Sequence, residues 1–162
     1  MTPLEIAILV AMTGYAIYKQ SQRHEVVGSS RFKLAIIYAI VGLVIGGVHA
    51  PDNAWEVGIL VASVLASVVI GLVRGRYTRV WRQDGTVWAQ GTALTISLFF
   101  GLILFKVALG TAAYFLHVSD DGGFGEILLL IAVMVAFQAQ IVWTRARALG
   151  APQDHKEAAL TH

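Results

Sequence analysis

The chain has 162 residues, of which 57% are hydrophobic and 14% charged, with a formal charge of +2 and no cysteine. Soluble domains carry about 25% charged residues, and here the charges cluster between long apolar runs, which argues for one polytopic membrane domain with no soluble domain beside it. The missing thiols exclude disulfides, thiol–disulfide exchange, thiolate metal ligation and iron–sulfur clusters.

A helix needs roughly 20 residues to cross the hydrocarbon core. In chain order the spacing predicts spans over Pro3 to Tyr18, Phe32 to His49, Trp55 to Val73, Thr92 to His117 and Glu126 to Trp143. The first span follows Met1-Thr2-Pro3-Leu4-Glu5, which has no basic residue, and no small-residue cleavage site is evident. It is therefore expected to stay in the membrane rather than act as a signal peptide.

Lys and Arg accumulate in cytoplasmic loops. The first connection holds Lys19, Arg23, Arg31 and Lys33; the third holds Arg74, Arg76, Arg79 and Arg82; the C-terminal segment holds Arg145, Arg147 and Lys156. The second and fourth connections hold none, and the fourth carries Asp120 and Asp121. Lys106 alone lies within a span, and a count of four or six spans would break the alternation. The expected fold is an all-α five-helix transmembrane bundle with its N-terminus outside and its C-terminus cytoplasmic. Residues 1–148 form a single membrane domain, and 149–162 a flexible cytoplasmic tail. The basic clusters read as topology signals facing an anionic leaflet, so anionic lipids are the expected partners and nucleic acid is not.

Between the third and fourth spans, residues 77–90 are predicted to form a cytoplasmic β-hairpin. Asp84-Gly85 suits a type I′ turn, whose two central residues both need positive φ, and β-branched and aromatic residues flank it. That turn pairs Gln83 with Thr86, Arg82 with Val87 and Trp81 with Trp88. An isolated hairpin is marginal in water. Trp81 and Trp88 would therefore anchor this one at the headgroups, with Arg79 and Arg82 nearby for phosphate, or the same surface would dock a cytoplasmic partner.

The segment Arg74-Gly75-Arg76, Thr78-Arg79-Val80-Trp81-Arg82, Asp84-Gly85, Val87-Trp88 and Gly91-Thr92 resembles the CcdC-like bacterial membrane proteins. There a basic stretch, an acidic-glycine turn and a second tryptophan precede a helix. The resemblance implies a small multi-helix bundle in a bacterial cytoplasmic (inner) membrane, from a family labelled for cytochrome c biogenesis whose activity is poorly defined. The lack of cysteine excludes a direct thiol relay.

Small residues four apart let helices approach closely in lipid. Gly42 and Gly46 form such a pair, Ser63, Ser67, Gly71 and Gly75 a ridge, and Gly58, Ala62 and Ala66 another. They are expected to pack within the bundle, with a homo-oligomer as the alternative use of any face left over.

Lys106 is the polar residue that calls for an explanation, because a central lysine costs about 2.5–3.5 kcal/mol to insert and usually faces an interior or cavity. Its lean toward the helix N-terminus sets its expected level at Gln138 and Gln140, while Glu5, Glu56 and Glu126 are expected near the outer surface. Lys106 either lines a ligand site or path, with Gln138, Gln140, Glu56 and Glu126 as companions, or is a structural lysine bonded to Gln138. His49 and His117, at one depth on the outer side, could ligate haem or a divalent metal or remain interfacial histidines. His24 and His155 read as loop or tail residues, and Trp55 and Trp143 as aromatic-belt residues. No phosphate loop, nucleophile elbow, zinc-helix signature or run of intramembrane carboxylates is present, so an enzyme is not expected. The sequence leaves the cofactor open, with haem or a metal at His49 and His117 as the candidate. The expected function is a non-enzymatic accessory factor in envelope biogenesis that binds a protein partner or a small amphiphile. Its rivals are a homo-oligomeric transporter or channel with Lys106 on the path, and an outer-face haem or metal binder.

Overall fold

The computed structural model describes residues 7, 10, 11, 13–15, 17–19, 22–26, 28, 32–46, 53–115 and 124–151. Among these the chain is mostly helical. The described residues between 7 and 19 are helical (α1); then come β1 (His24–Glu25), α2 (Lys33–Gly46), α3 (Ala54–Tyr77), β2 (Arg79–Gln83), β3 (Thr86–Gln90), α4 (Ala93–Phe115) and α5 (Phe124–Ala148). Two helical stretches, Ala54–Tyr77 and Gly125–Ala148, are long and apolar enough to cross a membrane, whereas Lys33–Val44 and Ala93–Leu109 are apolar but shorter.

Each long element starts and stops for a local reason. Asn53 caps α3: its Oδ1 accepts from the Glu56 N–H at 2.9 Å, and its Nδ2 donates to Glu56 Oε1 at 2.7 Å, a reciprocal capping box. Thr92 and Thr95 cap α4 in the same manner, with the Thr92 N–H donating to Thr95 Oγ1 at 2.9 Å. The C-terminus of α3 overruns the predicted span by one turn, to Tyr77, so Arg74 and Arg76 sit on helix rather than in a loop. Gly150 closes α5, its φ of 85° being the left-handed conformation that terminates a helix. The amides of Leu149, Gly150 and Ala151 there bond back to Ala146 and Arg147.

α5 packs against both α2 and α3, and α4 packs on α3. The contact is close because the small residues face it. A Cβ added at Gly71 would lie 2.5 Å from the Met134 carbonyl oxygen, one at Gly75 2.5 Å from Ile141 Cβ, and one at Gly42 3.0 Å from Leu128 Cβ. Ser63 and Ser67, on the same ridge as Gly71 and Gly75, are fully buried. The second ridge behaves differently: a Cβ added at Gly58 would meet nothing within 4 Å, and Gly58 and Ala62 are exposed. The main core joins Ala35 and Tyr38 of α2, Phe99 and Leu102 of α4, and Leu128, Ile131 and Met134 of α5.

The hairpin forms in the expected register, with Trp81 opposite Trp88, and Asp84 and Gly85 have φ of 52° and 82°. It is not a free hairpin, however. β1 adds to β3 with His24 opposite Ala89 and Glu25 opposite Trp88, giving an antiparallel sheet of order β1-β3-β2. His24, expected in a loop, is thus a strand residue. The sheet lays Val87 and Ala89 on the end of α5, in a second core with Val26, Val142, Trp143, Ala146 and Ala151. Trp143 is therefore buried beneath the sheet instead of sitting in an aromatic belt, since the apolar face of the sheet needs a cover and the last turns of α5 supply it. Ala151 packs there too, so the C-terminal segment begins docked and not at 149 as a free tail; residues 152–162 lie outside the described residues.

Candidate functional site

Three groups of polar residues stand out; the second and third adjoin at the last turn of α3. The first is Lys106, 4% exposed, whose Nζ is 2.8 Å from Glu126 Oε1 in the first turn of α5. This overturns the expected level of Lys106. Gln138 is twelve residues further along α5, about 18 Å at 1.5 Å per residue, and donates from Nε2 to Thr78 Oγ1 at 3.4 Å. Gln140 is exposed, and Glu56 serves the cap of α3. Of the five residues grouped as a ligand site or path, the structure brings together Lys106 and Glu126 alone. The carboxylate is visible in the sequence; what hides the pairing is the packing of α4 and α5 in the bundle, which sequence spacing does not encode.

The second group surrounds Arg74, a fully buried arginine. Its Nη1 donates to Met134 Sδ at 3.1 Å, and its Cζ stands 5.2 Å from the Phe99 ring centroid, a cation–π arrangement strengthened by desolvation. Counted along the sequence, Arg74 looks like one more loop charge. The extra turn of α3 carries it inward, onto the ridge of Ser67 and Gly71.

The third group lies at the sheet end. Arg145 on α5 turns a single nitrogen, Nη1, toward the carbonyls of Gly75, Arg76 and Thr78 at 2.9, 2.8 and 2.8 Å. A cation on the open carbonyls of a helix C-terminus satisfies acceptors and complements the dipole. Thr78 closes the same turn, donating from Oγ1 to Arg74 O at 2.8 Å. The predicted interface residues follow: alternation puts Arg79, Trp81 and Trp88 on the sheet face away from α5, and Arg82 on the other. Arg23 lays its guanidinium 5.8 Å from the Trp81 ring centroid.

These residues enclose a cleft of about 650 Å³ whose lining includes Arg23, Arg76, Arg79 and Arg145 with Trp81 and Gln90. A smaller hollow of about 280 Å³ lies beside it, between Arg23, Trp81 and Trp88. In the sequence, Arg23, Arg76 and Arg145 read only as topology signals. One feature could single out Arg145: it follows Ile141 by four residues, and Ile141 is the side chain seated on Gly75. His24 lies on the sheet face of Val26 and Ala89 and keeps an exposed edge; partial desolvation pushes it below the usual 6.5, opposed by a contact to the Gln22 carbonyl and reinforced by Lys19.

His49 and His117, the candidate haem or metal ligands, lie outside the described residues. Among the described residues no group of three or more His, Asp or Glu side chains is placed to hold a metal ion. No protein-family model, curated protein or solved structure matches this chain.

Proposed function

We propose that this chain is a multi-pass protein of a bacterial cytoplasmic membrane, non-enzymatic, an accessory factor in envelope biogenesis of the CcdC-like kind. Its N-terminus is outside, and its working surface is the tryptophan face of the cytoplasmic sheet. The observation that carries the membrane reading is the inverted distribution of polarity. Large apolar side chains are exposed around the bundle, among them Val44 (77%), Leu65 (59%) and Leu104 (66%), while Lys106, Arg74, Ser63, Ser67 and Thr95 are buried. In water that arrangement exposes apolar area and desolvates charges; in lipid both preferences reverse. The sheet supports the docking role because a buried second core holds it against α5, so its other face is presented on a rigid base.

The cysteine-free chain allows a clean test of topology. Single cysteines at Asp84 and at Asp120 are treated with a membrane-impermeant maleimide in intact cells: the Asp120 position labels at once and the Asp84 position after permeabilisation. Equal labelling of both in intact cells refutes the orientation. For the docking role, Trp81→Ala with Trp88→Ala keeps the membrane level and loses complementation of a deletion strain's envelope defect. Full complementation by that variant refutes the platform.

The homo-oligomeric transporter is the second reading, favoured by one observation, the charge pair of Lys106 and Glu126 held inside the helices. It requires that Lys106→Ala abolish flux in proteoliposomes while the folded protein persists; unchanged flux refutes it.

A further inference from the structure

We propose that the arginine-lined cleft at the sheet end is a saturable site for a phosphorylated organic anion, its phosphate held by Arg76 and Arg79 and its remaining part lying against Trp81. Four arginines converge there from separate parts of the chain: Arg23 before β1, Arg76 on the last turn of α3, Arg79 on β2 and Arg145 on α5. Like charges gathered from four places repel, and among the described lining residues there is no carboxylate. The nearest acidic groups by register are Glu25, opposite Trp88 on the far strand, and Asp84 at the hairpin turn, which lines the smaller hollow. Among the described residues no carboxylate forms an ion pair with Arg23, Arg76 or Arg79.

The arginines are not equivalent. Arg145 is committed by its contacts to three carbonyls and fixes the floor of the cleft. Arg23 rests on Trp81. Arg76 and Arg79 are both exposed residues that line the cleft, and a guanidinium is a planar fork that can donate to two phosphate oxygens. At about 650 Å³ the cleft falls in the range of small-molecule sites and is far larger than a bare ion needs. Gln90 and Trp81 offer the further polar contact and ring surface that an attached organic group would use. The phosphate could belong to an anionic lipid headgroup or to a soluble phosphorylated compound; the chemistry at the arginines is the same. The placement at a membrane surface rests on the reading above, but the binding does not, and labelling of Asp84 and Asp120 cysteines tests that reading separately.

The experiment uses the full chain in nanodiscs of phosphatidylcholine, titrated in parallel with short-chain phosphatidic acid and with glycerol 3-phosphate, by calorimetry at fixed salt. We expect saturable binding of at least one probe at one equivalent per chain. Arg76→Gln and Arg79→Gln should each weaken it by about tenfold, as for the loss of one charge-assisted hydrogen bond, whereas Arg147→Gln, exposed but outside the cleft, should not. Binding of phosphatidic acid alone identifies a lipid headgroup as the source, and comparable binding of glycerol 3-phosphate identifies a soluble one. Absence of saturable binding to both overturns the proposal, and so does an equal loss with Arg147→Gln, since that would reduce the effect to diffuse surface charge.

Discussion

The bundle and the sheet end of this molecule are held together by different physics. In the bundle, α3 meets α5 through Gly71, against the Met134 backbone, and through Gly75, against the Ile141 side chain, and α2 meets α5 through Gly42. At the sheet end, Val87 and Ala89 cover Trp143 and Val142, and Arg145 closes the last turn of α3. The first region depends on the absence of side-chain atoms, which lets the helices approach closely enough for dispersion contacts between them. The second depends on their presence, as a water-facing core does. An added methylene should therefore damage the bundle, and a deleted one the sheet end.

The largest expected effect tests the bundle half of that contrast. Gly75→Leu, in a site where even a Cβ meets Ile141, should cost about 3 kcal/mol or more through overpacking. Thermal unfolding in detergent would show it as loss of the folded species. Gly58→Leu, on the open ridge of the same helix, should be neutral or slightly stabilising through helix propensity. Equal damage from both would mean that close approach is not what joins α3 to α5.

Trp143→Ala tests the other half. It should cost about 3–5 kcal/mol and act first on the sheet, so that amide exchange at Val87 and Ala89 accelerates while the helices stay protected. Uniform loss of protection along α2 and α3 would merge the two regions into one unit.

Next comes the ion pair, which belongs to neither scheme. Glu126→Gln removes a counter-charge 2.8 Å from the buried Lys106 ammonium and should destabilise by about 3 kcal/mol, whereas Lys106→Met with Glu126→Gln should recover much of the loss. A double-mutant cycle with a coupling below about 0.5 kcal/mol would show that the pair is incidental.

The smallest effect is one of pH. The folded-state pKa of His24 is lowered, so its neutral form is favoured by folding and its contribution is complete above 6.5. As pH falls through 6.5 toward the folded value, the unfolded form takes up the proton first and the pairing of β1 weakens. Exchange at the Val26 amide, which donates to Val87 O at 2.9 Å, should quicken on acidification relative to the intrinsic rate of an unprotected amide at the same pH. The same exchange in His24→Gln should lose that pH dependence.

Legibility in the sequence follows the range of the interaction. The hairpin register is readable because Asp84-Gly85 prescribes a turn and the turn prescribes every pair after it. The Ser63, Ser67, Gly71 and Gly75 ridge is readable because the helical repeat aligns it. β1 is not, since a strand of two residues, His24–Glu25, carries no periodicity of its own and exists because β3 offers an open edge. Arg74 is misplaced by hydropathy, which ends a span at the first charge, while the helix itself runs on until Thr78 closes it. Arg23, Arg76, Arg79 and Arg145 are each visible as charges, but their convergence on one cleft is not.

Sequence by itself determined the elements with local causes: the apolar helices, the Asp84-Gly85 turn and the small-residue ridges. These depend on contacts a few residues apart, which periodicity and propensity encode. Only the tertiary structure decided which ridge is buried, that Lys106 answers to Glu126 and not to Gln138, that Trp143 lies under the sheet, and that four arginines share one space. Those outcomes depend on how the helices pack and how the sheet settles on α5, and helix packing is set by the sum of many side chains, which no local pattern contains.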